Sequence, residues 1–211
     1  MPGKSIAIVG ASGVGKSYLA LKLHELVGGK TYVLPGKAFP GKAFLEPEWH
    51  ELPEYVQHAF STQTNLLEAH RWFRNQAVAQ MMEAENIKKS GSLAILDTFL
   101  QTNIFFAQVF LKGEEKKTML RILRKDLKRL AWPDAIIYLK AEKNFAEEKR
   151  RQRGDRHEVS EANKKGNARV AKKIGAFFST RTDVVTIDRT DLDFDDSKTL
   201  MNIAKKINLF S

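Results

Sequence analysis

Short apolar runs alternate along this chain with longer segments in which apolar residues recur every three or four positions. The apolar runs lie at residues 5–9, 93–96, 135–139 and 184–187, and a weaker one lies at residues 31–34. Runs of this length without polar interruption are typical of strands buried on both faces, as parallel strands are. Their alternation with helical segments predicts an α/β fold of three layers, in which helices flank a parallel sheet on both sides.

Three of the periodic segments predict helices that matter for the argument. One begins at Lys16 and carries Leu19, Leu23 and Leu26 along one side. A second is predicted as one long helix over residues 61–89, with Ser61 as its N-cap. A third, over residues 114–130, is strongly basic and has an apolar side that must pack on something. Between the first two, residues 35–53 are broken by prolines and glycines, and a connection of this length is usually functional.

The size and composition of the chain limit the classes to consider. The chain has 211 residues, which suits one domain, and it contains no cysteine, which leaves no disulfide, thiolate nucleophile or cysteine zinc site. We expect a single domain over residues 1–211. Because no apolar run approaches the roughly 18 residues of a membrane span and the first residues do not resemble a secretory signal, we expect a cytoplasmic protein without membrane contact.

The net charge of +10 comes from one part of the chain. Residues 112–173 contain all of the excess of lysine and arginine over aspartate and glutamate, and the remainder is balanced. A solvated basic helix face with some phosphate-binding arginines explains this stretch, and so does a surface for a polyanion such as DNA. Both interpretations stay open at this point.

The strongest motif lies between the first predicted strand and the first predicted helix. Residues 10–17 read Gly-Ala-Ser-Gly-Val-Gly-Lys-Ser, which matches the phosphate-binding P-loop in the context that this motif requires. Small residues let backbone N–H groups point at phosphate oxygens, Lys16 reaches the β- and γ-phosphates, and the Ser17 hydroxyl binds Mg²⁺. We therefore predict ATP or GTP with Mg²⁺ as cofactors. The predicted nucleotide-binding residues here are Gly10, Ser12, Gly13, Val14, Gly15, Lys16, Ser17 and Tyr18.

A carboxylate is expected beside Ser17 as a second ligand on the metal side. Asp97 directly follows the apolar run at residues 93–96, so it stands at the end of a predicted buried strand. Since parallel strands end at one edge of the sheet, Asp97 is the best candidate for that ligand and for contact with the substrate.

With these residues the chain resembles the deoxyribonucleoside kinases and their thymidylate kinase relatives. Glu46-Pro47 followed by Trp49 is similar to a motif of that group in which the glutamate is the base toward the acceptor hydroxyl. Phe60-Ser61-Thr62-Gln63, with Arg71 beyond it, is similar to the segment whose glutamine reads the base. The resemblance implies Glu46 and Lys16 as catalytic residues, and Trp49, Gln63 and Arg71 as substrate-binding residues.

The same resemblance covers an arginine-rich lid. The segment at residues 133–139, which contains the predicted strand, is similar to the family strand. The run Lys149-Arg150-Arg151-Gln152-Arg153-Gly154-Asp155-Arg156 that follows is similar to the family lid, here at about residues 149–166. It implies that Arg153 and Arg156 close over the phosphates as catalytic residues, and that Arg151 binds the nucleotide. Arginine suits this role because its planar fork donates to two oxygens at once.

One departure from the family pattern concerns the acceptor. Asp97-Thr98-Phe99 stands where the family usually has an acidic residue, arginine and serine, so an arginine that positions the acceptor is missing. His70 and Arg71 also compete for one base-reading position.

Three functions remain. The first is ATP-dependent phosphorylation of a hydroxyl or phosphate of a deoxynucleoside or nucleotide. The second is phosphorylation of a modified, hydroxymethylated base within DNA, which the basic stretch favours. The third is an ATPase switch or assembly module. The apolar side of residues 119–130 also suggests a homodimer.

Overall fold

The computed structural model describes residues 3–27, 31–34, 49–142, 145, 146, 148 and 161–209, and only the backbone of 31–34, 161 and 162. Its centre is a five-stranded sheet in which every pairing is parallel, in the order β2-β3-β1-β4-β5. This confirms all five predicted strands. They are β1 (Lys4–Gly10), β2 (Thr31–Leu34), β3 (Leu93–Asp97), β4 (Ala135–Lys140) and β5 (Val184–Asp188).

Helices cover both faces of the sheet, so the three-layer expectation is confirmed. Along β1, Ala7 and Val9 pack into a core with four helices, whereas Ile6 and Ile8 pack into a second core with two helices. This alternation follows from the period of two in a strand. The first face carries α3 (Leu66–Lys89), α4 (Leu100–Phe110), α5 (Gly113–Arg129) and α6 (Glu161–Phe178), and the second carries α1 (Lys16–Leu26) and α7 (Ser197–Lys206).

The predicted long helix over residues 61–89 is two helices, and that prediction was wrong. A short helix, α2 (Glu54–Thr62), precedes α3, and it follows a 3-10 turn at Trp49–Glu51. Between α2 and α3, Gln63 and Asn65 have φ values of 58° and 51°, in the left-handed region that ends a helix. Ser61 therefore lies in the last turn of α2 and caps nothing.

The apolar side of the basic helix α5 packs into the core of the protein. Met119 and Leu123 are fully buried in the core beneath α3 and α4. The Asp126 carboxylate on the same helix is 3% exposed and pairs with Arg74 of α3 at 2.6 Å. The suggestion that this side serves a homodimer therefore loses its basis.

Of the residues that the structure describes, none belongs to a helix long and apolar enough to cross a membrane.

Candidate functional site

The phosphate loop joins the central strand β1 to the start of α1, as the motif requires. Gly13 and Gly15 have φ values of 84° and 91°, which only glycine adopts without strain. Gly10 is needed for another reason, because a Cβ at this position would lie 2.3 Å from the carbonyl oxygen of Leu139 on β4. Any side chain at Gly10 would therefore clash with the backbone of β4 at the point where the loop begins.

Lys16 and Ser17 are the first residues of α1, and their side chains face different partners. The Lys16 ammonium lies 3.5 Å from the carbonyl oxygen of Ala11, across the loop. The Ser17 hydroxyl donates to Asp97 Oδ2 at 2.5 Å. Asp97 reaches this place because it ends β3, the strand beside β1, in register with Ile8. The structure thus brings together the two residues predicted to be on the metal side.

Asp97 has one carboxylate oxygen that the described residues leave unsatisfied. The residue is 1% exposed, and its Oδ1 is buried without a hydrogen-bond partner among the described residues. An unpaired buried polar atom is costly unless something else binds it. Mg²⁺ suits the donor set, since it commonly takes one or two protein oxygens and completes its shell with phosphate and water. Consistent with so few protein ligands, no cluster of three or more histidine, cysteine or acidic residues occurs in the described part of the chain.

Directly after Asp97 the backbone is strained. Thr98 has a φ of 79°, which is rare for a β-branched residue. Its N–H donates to the carbonyl oxygen of Ile8 at 2.9 Å, and its hydroxyl lies 2.8 Å from that of Thr102. These contacts hold a turn that aims the Asp97 side chain at Ser17 and directs the chain into α4.

Arg71, predicted to bind the substrate, does not face the interior. The Arg71 side chain is 45% exposed and pairs with Glu68 one turn earlier, so it faces solvent. The neighbouring residue, His70, is 3% exposed and points inward, where its ring lies 6.0 Å from that of Phe60 and 6.3 Å from that of Phe110. The structure therefore brings His70, and not Arg71, into the interior beside these rings.

His70 lies toward the carboxyl edge of the sheet, which is the edge where the phosphate loop begins. The 24 residues of α3 span about 36 Å, whereas the five residues of β3 span only about 17 Å. Because α3 runs back along the strand that it precedes, its first turns extend past the end of β3 at Asp97. His70 Nε2 is buried without a partner among the described residues, as is Nδ2 of Asn103 on the adjacent helix α4.

Gln63, the other predicted base reader, is exposed and tied to α6. Its side-chain N–H₂ donates to Asn163 Oδ1 at 3.0 Å and to the Phe60 carbonyl oxygen at 2.8 Å. Trp49 packs partly buried against the small core formed by α2. The remaining predicted residues, Glu46, Arg151, Arg153 and Arg156, lie outside the described residues, as do Lys149 and Arg150.

Sequence reasoning missed the segment that follows β5. Arg189 comes directly after this strand, and its side chain lies beside the phosphate loop, with Nε 3.8 Å from where a Cβ on Gly15 would be. Tyr18, predicted to bind nucleotide, donates to Asp195 of the same segment. The signal was available, since Val184–Ile187 reads as a buried strand and its carboxyl end must reach the same edge as Gly10 and Asp97.

A parallel sheet with a glycine-rich loop leading from its central strand to a helix, and a serine–aspartate pair beneath it, defines the P-loop class of nucleotide-binding folds. No family model matches the chain, and no curated protein matches it in sequence.

Solved structures of two kinases share the fold. Deoxyadenosine kinase from M. mycoides, with dCMP and dCDP bound, superposes with a TM-score of 0.74 at 18% identity over 98% of this chain and 100% of that one. The same enzyme with dATP gives 0.72 at 20% identity over 97% and 99%. Thymidylate kinase from Candida albicans gives 0.61 at 14% identity over 98% and 93%. The fold is that of the deoxynucleoside and thymidylate kinases, which the motifs had suggested.

Proposed function

We propose that this protein transfers the γ-phosphoryl group of ATP, or of GTP, to a hydroxyl or phosphate of a deoxynucleoside or nucleotide. The observation that carries the proposal is the contact between Ser17 and Asp97 at the end of the phosphate loop. It supplies a hydroxyl and a buried carboxylate side by side where the γ-phosphate of a loop-bound nucleotide would lie.

On the donor side, backbone N–H groups of residues 10–17 bind the phosphates, and the start of α1 adds its positive dipole end. Lys16 contributes a charge to the β- and γ-phosphates. Ser17 and Asp97 hold the Mg²⁺, which when bound offsets charge on the phosphate oxygens. The unsatisfied Oδ1 of Asp97 supports this assignment.

In the transfer itself, the acceptor oxygen attacks the γ-phosphorus, a new O–P bond forms, and the bond to the β–γ bridging oxygen breaks as ADP leaves. When the acceptor is a hydroxyl, its proton passes to the Glu46 carboxylate. Arg153 and Arg156 offset charge on the transferring group. These three roles come from the resemblance to the kinase group, and positioning of this kind carries most of the catalysis in phosphoryl transfer.

The side of the site near α3 and α4 suits a flat, uncharged heterocycle. Phe60 and Phe110 offer aromatic surface, and His70 and Asn103 offer two buried polar atoms without partners among the described residues. Such atoms favour a ligand that hydrogen-bonds to them, and stacking favours a base. That the deoxyadenosine kinase with this fold holds dCMP, dCDP or dATP supports a deoxynucleotide.

A second candidate, phosphorylation of a hydroxymethylated base within DNA, is favoured by one observation. Exposed cations on α5 and α6 make no ion pair with any other described residue, which leaves them available for a polyanion. They are Arg121, Arg124, Lys125, Lys128, Lys165, Arg169, Lys172 and Lys173.

The experiment is transfer of labelled γ-phosphate from ATP to a panel of deoxynucleosides, their monophosphates, and duplex DNA with plain or hydroxymethylated bases. Label on a free nucleoside or nucleotide supports the first function. Label on DNA alone, weakening steeply with salt, supports the second. Hydrolysis at full rate without any acceptor would contradict both and indicate an ATPase switch.

Two variants test the assigned roles. Lys16→Ala should abolish transfer through lost phosphate binding, whereas Lys205→Ala, an exposed lysine on α7, should not. Glu46→Gln should lower kcat and leave nucleotide affinity nearly unchanged, with Glu48→Gln as its matched control. Normal turnover by Glu46→Gln would show that another group accepts the proton.

A further inference from the structure

Arg189 is an arginine held against the phosphate loop. It continues the sheet directly after β5, because its N–H donates to the carbonyl oxygen of Lys140 at 2.7 Å. Its side chain then reaches across to Gly15, the last residue before α1. A cation is thus held at the carboxyl edge of the sheet, at the residue that directly follows a strand.

The acids around Arg189 leave it without an ion pair among the described residues, although residues 188–196 contain five aspartates. Asp188 accepts hydrogen bonds from Thr190 and pairs with Lys140. Asp195 is bound by Tyr18 and Lys22, and Asp196 caps α7. Asp193, the acid with the largest electrostatic effect on Arg189, accepts a hydrogen bond from the N–H of Asp195 and lies beyond ion-pair distance of Arg189. Three of the five aspartates are therefore engaged by other groups, and Asp193 offsets the Arg189 charge only from a distance.

Aromatic rings hold the Arg189 side chain in its place. Its guanidinium carbon lies 4.0 Å from the ring centroid of Phe194 and 5.4 Å from that of Phe145. Its Nε is buried and has no hydrogen-bond partner among the described residues. Burial lowers the pKa of Arg189, while arginine in proteins still keeps its charge. A partly desolvated cation with an unsatisfied N–H is costly unless an anion binds it.

We propose that Arg189 binds a phosphate of the donor nucleotide beside Gly15 of the phosphate loop. This inference rests on the proposed nucleotide-binding function and adds a residue to it. The stacked rings fix the guanidinium plane in advance, so that little side-chain entropy is lost when its N–H groups donate to phosphate oxygens. The chain would then supply a phosphate-binding cation that does not depend on the arginines at residues 149–156.

The test is equilibrium binding of ATP and of inorganic tripolyphosphate to the wild-type protein and to Arg189→Met, which keeps apolar bulk against Phe194. We expect both ligands to bind about tenfold more weakly to the variant, with Arg189→Lys between the two. Arg181→Met is the matched control. Arg181 also stacks on aromatic rings, those of Trp132 and Phe177, but it pairs with Asp183 and is expected to leave both affinities unchanged.

Each other outcome overturns the inference in a different way. Weaker binding of ATP with unchanged binding of tripolyphosphate would mean that Arg189 stacks on the base. Unchanged binding of both would mean that the arginine is structural. Neither result bears on the proposed phosphotransfer activity, because the acceptor panel measures that activity separately. If Arg189→Met does not fold, phenylglyoxal labelling of the wild-type protein replaces it: tripolyphosphate should protect Arg189 and leave Arg181 reactive, and equal reactivity would contradict the proposal.

Discussion

The Ser17 hydroxyl and the Asp97 carboxylate come from segments 80 positions apart, yet they meet in a hydrogen bond of 2.5 Å at the carboxyl edge of the sheet. The pairing of β1 with β3 brings their backbones together, and the strained turn at Thr98 directs the carboxylate. The contact is therefore a consequence of the sheet register.

Asp97→Asn tests the metal role of this pair. Asparagine keeps the shape and one acceptor oxygen but removes the charge, so the Mg²⁺ concentration for half-maximal transfer should rise by about tenfold or more. A Mg²⁺ titration of the transfer rate measures this. The nucleotide-free variant should unfold at the same denaturant concentration as the wild type, or slightly above it, because a buried charge is removed. Asp183→Asn, at an exposed ion pair, is the control, and an unchanged Mg²⁺ requirement in Asp97→Asn would contradict the assignment.

His70→Phe tests which of two neighbouring residues reads the acceptor. Phenylalanine keeps the aromatic packing with Phe60 and Phe110 but cannot hydrogen-bond, so the KM for the acceptor should rise about tenfold while the KM for ATP changes little. Arg71→Gln should leave both constants unchanged, since that side chain faces solvent. Initial rates with each substrate varied in turn give the answer. If Arg71→Gln raised the KM for the acceptor and His70→Phe did not, Arg71 would be the substrate-binding residue, as the sequence predicts.

The pH dependence of stability should also depend on His70. Burial lowers its pKa to about 4 from 6.5, and no charged neighbour contributes to the shift. Between these values the unfolded chain binds a proton that the folded chain does not, so the free energy of unfolding must fall as the pH falls from 6.5 toward 4. The loss attributable to His70 is at most about 3 kcal/mol. Urea unfolding at several pH values should show that the free energy of unfolding declines less steeply for His70→Phe than for the wild type. Equal declines in the two proteins would show that the folded protein does not lower the pKa of His70.

The buried ion pair between α3 and α5 yields a prediction about stability alone. Asp126 is almost fully buried and accepts from Arg74 at 2.7 Å and from Arg129 at 3.0 Å. Asp126→Ala strands the Arg74 charge and should lower the free energy of unfolding by about 3 kcal/mol. Arg129→Ala, on the exposed partner, should cost less than about 1 kcal/mol. Combining Arg74→Met with Asp126→Leu should recover most of the loss, and urea unfolding of the three variants and the wild type checks this.

Local patterns were enough to predict the strands and the phosphate loop. Each strand is a short apolar run, because a parallel sheet buries both of its faces. The phosphate loop is a contiguous motif, and its glycines are required by the local backbone conformation and by the close approach of neighbouring backbone. The placement of Asp97 beside Ser17 also followed, since parallel strands end at a common edge. These features depend on neighbours in sequence or on one rule of topology.

The features that the sequence did not predict correctly depend on how elements pack against one another. The break at Gln63 and Asn65 is invisible in the hydrophobic pattern, because Phe60, Leu66 and Leu67 continue the apolar side through it. Helix α4 was not singled out, since its aromatic residues pack on several neighbours and leave no clean period. Which of His70 and Arg71 turns inward depends on where α3 lies against α4, and the sequence does not state that angle.

The phosphate loop follows β1, which is hydrogen-bonded to a neighbouring strand on each side, whereas β2 and β5 form the edges of the sheet. Amide hydrogens of a central strand exchange with solvent only when the whole domain opens, while edge strands open locally at lower free energy. Under the proposed function, the donor phosphates would be bound beside a strand whose amides we expect to exchange slowly, and Arg189 would contact them from beside an edge strand that opens at lower free energy. Substitutions that retune nucleotide binding should therefore accumulate at the β5 edge, where a change in sequence leaves the cooperative unfolding of the chain untouched.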